Sequence, residues 1–258
     1  MWRVVAAALM ATFGAAGAAR AQSLVLSFDD GPSLQATPLL SPAARNRALL
    51  DTLARHRVPA VLFVTLGFGA DRPEGRDMAQ AWGDAGHRIG NHTVSHLDLD
   101  DPRVTLERYQ REVLDCDAAI RTLPGYRRWL RYTFLHEGNT PEKRDGMRSF
   151  LWDHSYRRAQ VDLDSGDWML EGRLIELLAA DPQADTTSLR RAYLRQVEQR
   201  ALALREQAAP RDPPRVVLLH HNLITALWLT DVIALLQSQG WTFGDPDAAF
   251  GAATAGQP

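Results

Sequence analysis

The stretch Leu24-Val25-Leu26-Ser27-Phe28-Asp29-Asp30-Gly31-Pro32 decides how the rest of the chain is read. Its apolar start, Leu24-Val25-Leu26, reads as a short buried strand, and Gly31-Pro32 ends it in a turn. Neighbouring side chains on a strand point to opposite faces, so Asp29 and Asp30 would ordinarily diverge. A turn at Gly31 relaxes that rule and aims both carboxylates into one pocket. Two carboxylates at a strand end are unfavourable neighbours unless something positive sits beside them. A divalent cation is the obvious candidate, and a surface Asp-Asp-Gly-Pro turn is the plain alternative.

Downstream, Gly90-Asn91-His92-Thr93-Val94-Ser95-His96 carries two histidines four residues apart. On a helical turn that spacing puts both imidazoles on one face, close enough to share a metal. The same spacing occurs in polar loops that hold no metal. With one aspartate the pair completes a two-His, one-carboxylate set, which leaves coordination positions for water and substrate.

The two segments together resemble the first two motifs of the polysaccharide deacetylase family (NodB homology domain, carbohydrate esterase family 4). Three more matches follow in the family's order: Arg131-Tyr132-Thr133-Phe134, Asp164-Ser165-Gly166-Asp167-Trp168 and Leu218-Leu219-His220. The resemblance runs from about Leu24 to Trp241. It departs from the family at Thr133, where a proline is usual, which bears on groove shape and substrate fit. The continuation Phe134-Leu135-His136-Glu137-Gly138 is similar to a proteobacterial branch of the family.

The resemblance implies a metal-dependent hydrolase that removes acetyl groups, chiefly N-acetyl, from a carbohydrate such as an amino-sugar polysaccharide. Asp30, His92 and His96 would hold the metal, zinc by default, with cobalt, nickel or iron also compatible. Asp29 would be the general base and His220 the general acid, with Asp167 paired to His220 and Arg131 holding Asp29. The Phe134 backbone N–H would stabilise the oxyanion, and Trp168 would wall the groove. An esterase acting on O-acetyl groups, as in acetylated xylan, is compatible with the same residues. So are a non-catalytic glycan-binding protein and a simple metal-binding protein. Taken singly, several of these residues have plainer readings. Arg131 fits a strand-end ion pair, Asp167 a turn cap and Trp168 a core filler. His221 would support the site from beside His220, and His136 could enter the groove. His56, His87 and His154 read as surface residues, and Asp164 as structural.

The chain has 258 residues, enough for one α/β domain with a full core, and 45% hydrophobic with 23% charged residues is ordinary for a globule. Arg3, an Ala/Gly-rich apolar run from Val4 to Ala19 and the small residues of Ala19-Arg20-Ala21 read as a signal peptide over 1–21, implying a periplasmic or secreted protein. A membrane anchor is the rival, but a spanning helix wants about 20 strongly apolar residues. Loss of Arg3 and Arg20 with that leader moves the net charge from −2 to −4, which offers no basic surface for nucleic acid. The single cysteine, Cys116, cannot form an internal disulfide, and its helical context predicts a packed thiol.

Strand-like segments (Leu24–Phe28, Ala60–Thr65, Trp129–Leu135, Gln160–Leu163, Val216–Leu219, Trp241–Phe243) alternate with helical ones (Ala43–His56, Asp77–Ala85, Thr105–Leu123, one starting at Thr140-Pro141, Thr230–Gln239), and Arg88–Gly90 leads into the histidine loop. Repeated strand-helix units predict a parallel sheet, and each candidate residue falls just after a strand. Periodicity does not separate a barrel from a doubly wound sheet; the resemblance implies a distorted, incomplete (β/α) barrel over residues 22–243. The long insertion Glu171–Pro214 contains an Arg/Gln/Glu-rich stretch, Thr187–Ala208, expected as an amphipathic helix with a solvated charged face or, more pointedly, a lid. Residues 244–258 are expected to fray.

Overall fold

Strand β1 (Ser23–Gly31) is apolar because it lies in the middle of the sheet and is covered on both faces. In the computed structural model, which describes residues 22–207 and 213–250, β1 pairs in parallel with β2 (Ala60–Val64) and with β7 (Arg215–His220). Beyond β2 lie β3 (Arg88–Asn91), β4 (Tyr126–Leu130) and β5 (Arg157–Arg158). Beyond β7 lies β6 (Leu163–Asp164), and β8 (Thr242–Phe243) pairs with the first residues of β1. The order is β5-β4-β3-β2-β1-β7-β6, all parallel. No ladder joins β5 to β6 among the described residues, so the sheet curls into an incomplete (β/α) barrel.

The two-residue period of β1 sorts the core. Leu24, Leu26 and Phe28 face outward and pack with Leu49 and Leu53 of α1 (Pro42–His56), Trp82 of α2 (Pro73–Asp84) and Val232 and Ile233 of α7 (Leu223–Ser238). Val25 faces the barrel interior with Val61, Phe63, Trp129 and Val216. Each such side chain contributes about 1.5–3 kcal/mol on burial. The same alternation on β7 sends His220 inward and His221 outward. Helices α3 (Leu106–Ile120) and α4 (Pro141–Asp153) complete the wrapping on the β3–β5 side. Cys116 on α3 is fully buried, as its context predicts.

Several expectations are corrected. The tail does not fray at Gly244: α8 (Pro246–Phe250) packs under the barrel, where Phe250 meets Phe63 and Trp129. Asp247 on that helix pairs with Arg88 and Arg127. The insertion is not a lid. It comprises most of α5 (Asp167–Ala180) and all of α6 (Thr187–Gln207), and α6 buries Tyr193, Val197 and Ala201 against the core. Helix α7 begins at Leu223, seven residues before the expected start, capped by the Asn222 side chain on Thr225 N–H at 2.9 Å. Its first turns are apolar on every side because they are buried, so they show no 3.6-residue stripe. The strand expected over Trp129–Leu135 ends at Leu130 and turns tightly at Thr133–Leu135. His87 is buried, not exposed, and its Nδ1 accepts Ala60 N–H. The leader expected over 1–21 and the last residues, 251–258, lie outside the described residues.

Candidate active site

The candidate site residues Asp29, Asp30, His92, His96, Arg131, Phe134, Asp167, Trp168 and His220 gather at the C-terminal end of the strands, the face where barrel loops build sites. The device that turns Asp29 and Asp30 to one side is not the turn at Gly31. Asp30 itself is left-handed, φ 61°, inside the strand. The pairing register with β2 slips between Phe28 and Gly31, the mark of a bulge. Asp29 follows the strand's period into the interior. Asp30, re-aimed by the bulge, joins it at the rim.

The histidine pair also departs from the expected helical turn. His92 follows β3 directly and the segment to His96 is a loop, left-handed at Thr93 (φ 70°) and His96 (φ 57°). Asn91 shapes it by accepting Thr93 N–H at 2.8 Å, an Asx-type turn. Glu112 on α3 accepts the N–H groups of Val94 and Ser95 at 3.1 and 2.6 Å. The outcome is convergence: one ligand-type atom each from Asp30, His92 and His96 lies within 4.8 Å of the others. Asp30 Oδ1 is 3.6 Å from His92 Nε2 and 3.3 Å from His96 Nε2.

Asp29 is held from beneath. Arg131 Nη1 donates to both of its oxygens at 3.1 Å, while Nε bonds Ala159 O at 2.7 Å and Nη2 bonds Ser27 Oγ at 3.2 Å. Both residues are buried, so Asp29 carries its counter-charge with it. Burial pushes the Asp29 carboxyl up from its ordinary range, and Arg131 opposes that push. Asp29 Oδ2 stands 3.7 Å from His92 Nε2, at the edge of the trio.

Across the groove, Asp167 opens α5 and is fully buried. It accepts His220 Nδ1–H at 2.7 Å, His220 N–H at 2.7 Å and the Thr225 hydroxyl at 2.6 Å. Burial alone would pull His220 down, but the charge and hydrogen bond of Asp167, together with the Asp30 and Asp29 carboxylates, outweigh it and the imidazole is raised to about 10. His221 has the opposite environment. Its Nε2–H donates to Asn46 Oδ1 at 3.0 Å, and burial with the nearby Arg45 charge lowers it to about 3.

The groove has two lobes that meet at Asp30, Trp168 and His220. The first, about 380 Å³, is walled by Tyr132, Phe134, Leu135, His136, Trp168 and Leu218 over the trio. Phe134 and Leu135 are left-handed, φ 56° and 61°, and both side chains are exposed on its rim. The Phe134 ring lies edge-on to His96 at 4.5 Å. Trp168 is more than half exposed, so it is groove wall and not core. Of eight non-glycine left-handed residues among those described, Asp30, His96, Phe134 and Leu135 line this lobe. That concentration of strain is typical of functional sites. The second lobe, about 300 Å³, is polar.

Thr133 is satisfied in a way proline could not match. Its N–H donates to Tyr109 Oη at 3.2 Å, and its hydroxyl bonds Tyr109 Oη and Leu97 O, pinning the chain just after His96. Asp164 accepts Trp168 Nε1–H at 3.2 Å, and Arg200 and Gln196 of α6 hold the carbonyls of Asp164 and Ser165. Sequence reasoning did not find Arg45, Asn46, Asn91 or Glu112. Only Asn91, a polar residue closing a strand before a turn, carried a local signal.

A family model described as polysaccharide deacetylase matches residues 16–145. The chain belongs to the polysaccharide deacetylase family. Among curated relatives, a chitooligosaccharide deacetylase of Sinorhizobium fredii is 40% identical over 103 residues, covering 39% of this chain and 40% of that protein. This chain therefore matches about two fifths of that relative's length. Among solved structures, the Bc1960 peptidoglycan N-acetylglucosamine deacetylase superposes with a TM-score of 0.62 at 20% identity, covering 90% of this polysaccharide deacetylase chain and 89% of that one. A BA3943 mutant, described as a CE4 family pseudoenzyme, gives a TM-score of 0.62 at 17% identity, covering 87% of this chain and 66% of that one. At such identities these likenesses establish the fold alone.

Proposed function

We propose that this polysaccharide deacetylase is a metal-dependent hydrolase that removes N-acetyl groups from an amino-sugar glycan. One observation carries the reading. His92 Nδ1–H donates to Arg131 O at 2.8 Å, which leaves the Nε2 lone pair facing Asp30 Oδ1 3.6 Å away. Burial lowers His92 to about 3, so no imidazole proton relieves the clash between the two acceptors. Acceptor atoms spaced 3.3–3.6 Å match neighbouring ligands on a cation bound at about 2.0–2.1 Å, so the donor set fits a divalent transition ion, zinc by default.

Bound by Asp30, His92 and His96, such an ion would polarise the acetyl carbonyl and lower the pKa of water to roughly 7. Asp29, fixed by Arg131, takes the proton from the attacking water. His220 donates its Nε2 proton to the departing amine, with Asp167 holding the imidazole charged and oriented. Each such group typically contributes about 10²–10⁴-fold. The Phe134 N–H would stabilise the developing oxyanion, and Trp168 would pack a sugar ring or the acetyl methyl. The substrate class follows the names of relatives that act on chitooligosaccharides and peptidoglycan.

We read residues 1–21 as a leader removed on export, the catalytic unit as running from 22 through α8 to 250, and the site of action as periplasmic or extracellular. No helix among the described residues is long and apolar enough to cross a membrane. A non-catalytic role would leave the Asp29–Arg131 and Asp167–His220 pairs idle, and both are buried at high desolvation penalty. The test is acetate release from a panel of N- and O-acetylated glycans, with and without chelator. Chelator-sensitive release from N-acetylated members is expected. Release from O-acetyl esters only would reassign the leaving group, and none from any member would end the reading.

A further inference from the structure

The chain that follows His96 is bound, residue by residue, to the chain that follows Arg131. Thr133 Oγ1 donates to Leu97 O, and His136 Nδ1–H donates to Asp98 Oδ1 at 2.8 Å. Lys143 Nζ donates to Leu99 O at 2.7 Å and to Asp101 O at 2.9 Å. Asp100 takes two bonds, Gly138 N–H on its Oδ1 at 3.1 Å and Asn139 Nδ2 on its carbonyl at 2.6 Å. Every residue from Leu97 to Asp101 thus gives an oxygen to the segment 133–143. Asp98 is itself anchored, because its Oδ1 also accepts Asp100 N–H at 2.8 Å. Lys143 is the only lysine in a chain rich in arginine. Its compact ammonium with three rotatable donors suits two carbonyls better than a planar guanidinium fork matched to carboxylates. His136 lines the first lobe, so with Nδ1 taken by Asp98 it is a fixed part of the groove wall.

The bonded segment carries Phe134 and Leu135, adjacent and both left-handed, and the chain it binds starts directly after His96, left-handed as well. Such backbone persists only where its surroundings over-determine it. The N–H groups of Leu135 and His136 close the turn on Tyr132 O and Thr133 O, at 3.1 Å each, while Phe134 N–H has no acceptor among the described residues. We propose that His136 and Lys143 are positioning residues for the deacetylation. Acting through Asp98, Leu99 and Asp101, they hold the Phe134 turn and the His96 loop as one rigid piece, so that the oxyanion donor keeps its place relative to the metal ligand. This rests on the N-deacetylase reading above and adds the residues that set its oxyanion donor. A proline at 133 would stiffen the wall by fixing φ; here hydrogen bonds to the metal loop do so instead. A donor held in advance needs no reorganisation as charge develops, so loosening it should cost turnover and spare substrate binding. The His136–Asp98 pair is partly exposed and adds little to global stability.

The experiment uses the full chain supplied with zinc and a fully acetylated chitotriose. His136→Ala is expected to lower kcat by about tenfold or more, with KM within about threefold and zinc retained. His136→Asn puts an amide N–H where Nδ1–H stood and should recover kcat to within about threefold of the unaltered protein. Lys143→Met keeps the stem without the ammonium and should lower kcat as His136→Ala does, wherever its melting curve shows a folded protein. A second readout is free of turnover. Lys143 carries the only side-chain amine, so its acylation by an amine-selective reagent, followed by mass spectrometry, reports how firmly the two segments are joined. That rate should rise by about threefold or more in His136→Ala. Unchanged kcat in His136→Ala, equal losses in the Ala and Asn variants, or unchanged labelling of Lys143 would overturn the positioning role while leaving the deacetylase reading intact. No acetate from the unaltered protein would remove both.

Discussion

Strands β1 and β7 lie side by side, and each ends in a doublet of identical residues: Asp29-Asp30 on one and His220-His221 on the other, with Asp29 paired opposite His220. The two doublets are handled in opposite ways. On β7 the strand period holds. His220 enters the groove on Asp167 and is raised to about 10, while His221 turns under α1 onto Asn46 and is lowered to about 3. On β1 the period is broken by the left-handed Asp30, and both carboxylates reach the groove. One local backbone change thus separates a doublet that brings both side chains to the groove from one that brings a single side chain there and buries the other on Asn46.

The largest effect expected from disturbing this arrangement is at the cation trio. His92→Ala should bring acetate release to background and abolish zinc retention, measured by metal analysis of the purified protein. Next comes the β7 doublet. His220→Ala should lower kcat by about 10²–10⁴-fold. His221→Ala should leave kcat within a few-fold and instead lower stability by about 1–3 kcal/mol, because Asn46 and Ser33 lose a buried partner. Reversal of the two outcomes would exchange the histidines' roles.

The smallest effect is the pH dependence of stability, and the two histidines should act at opposite ends. His220, raised when folded, contributes stability fully present below pH 6.5 and lost as pH rises through about 10. His221, lowered when folded, contributes stability present above pH 6.5 and lost as pH falls toward about 3. Denaturant midpoints across pH should therefore decline at both ends, and His221→Asn should soften only the acid decline.

How much of this was legible in the sequence depended on range. The parallel α/β organisation came through because Leu24–Phe28, Ala60–Thr65 and Val216–Leu219 are apolar runs bounded by turns. The five motifs singled out Asp29, Asp30, His92, His96, Arg131, Asp167 and His220 through the resemblance to the family, and the structure brings them to one end of the sheet. What did not come through was whatever depends on distant partners. The bulge at Asp30 is fixed by register against β2, and the histidine loop by Glu112, many residues away. Helix α6 read as a solvated or lid-like element because its Arg-rich face dominates the composition. Its thin stripe of Leu189, Tyr193, Val197 and Ala201 is what packs. Phe250 gave no local sign that it would close the barrel floor, and Arg45 read as one charged helix residue among several.

The account turns on the claim that the β1 bulge divides labour between two adjacent aspartates. The most direct test is zinc stoichiometry and acetate release measured together on Asp29→Asn and Asp30→Asn. The expected result is that Asp29→Asn retains one zinc per chain while losing turnover by about 10²-fold or more, and that Asp30→Asn loses the zinc. Equal zinc content in the two variants, or full activity in Asp29→Asn, would contradict it.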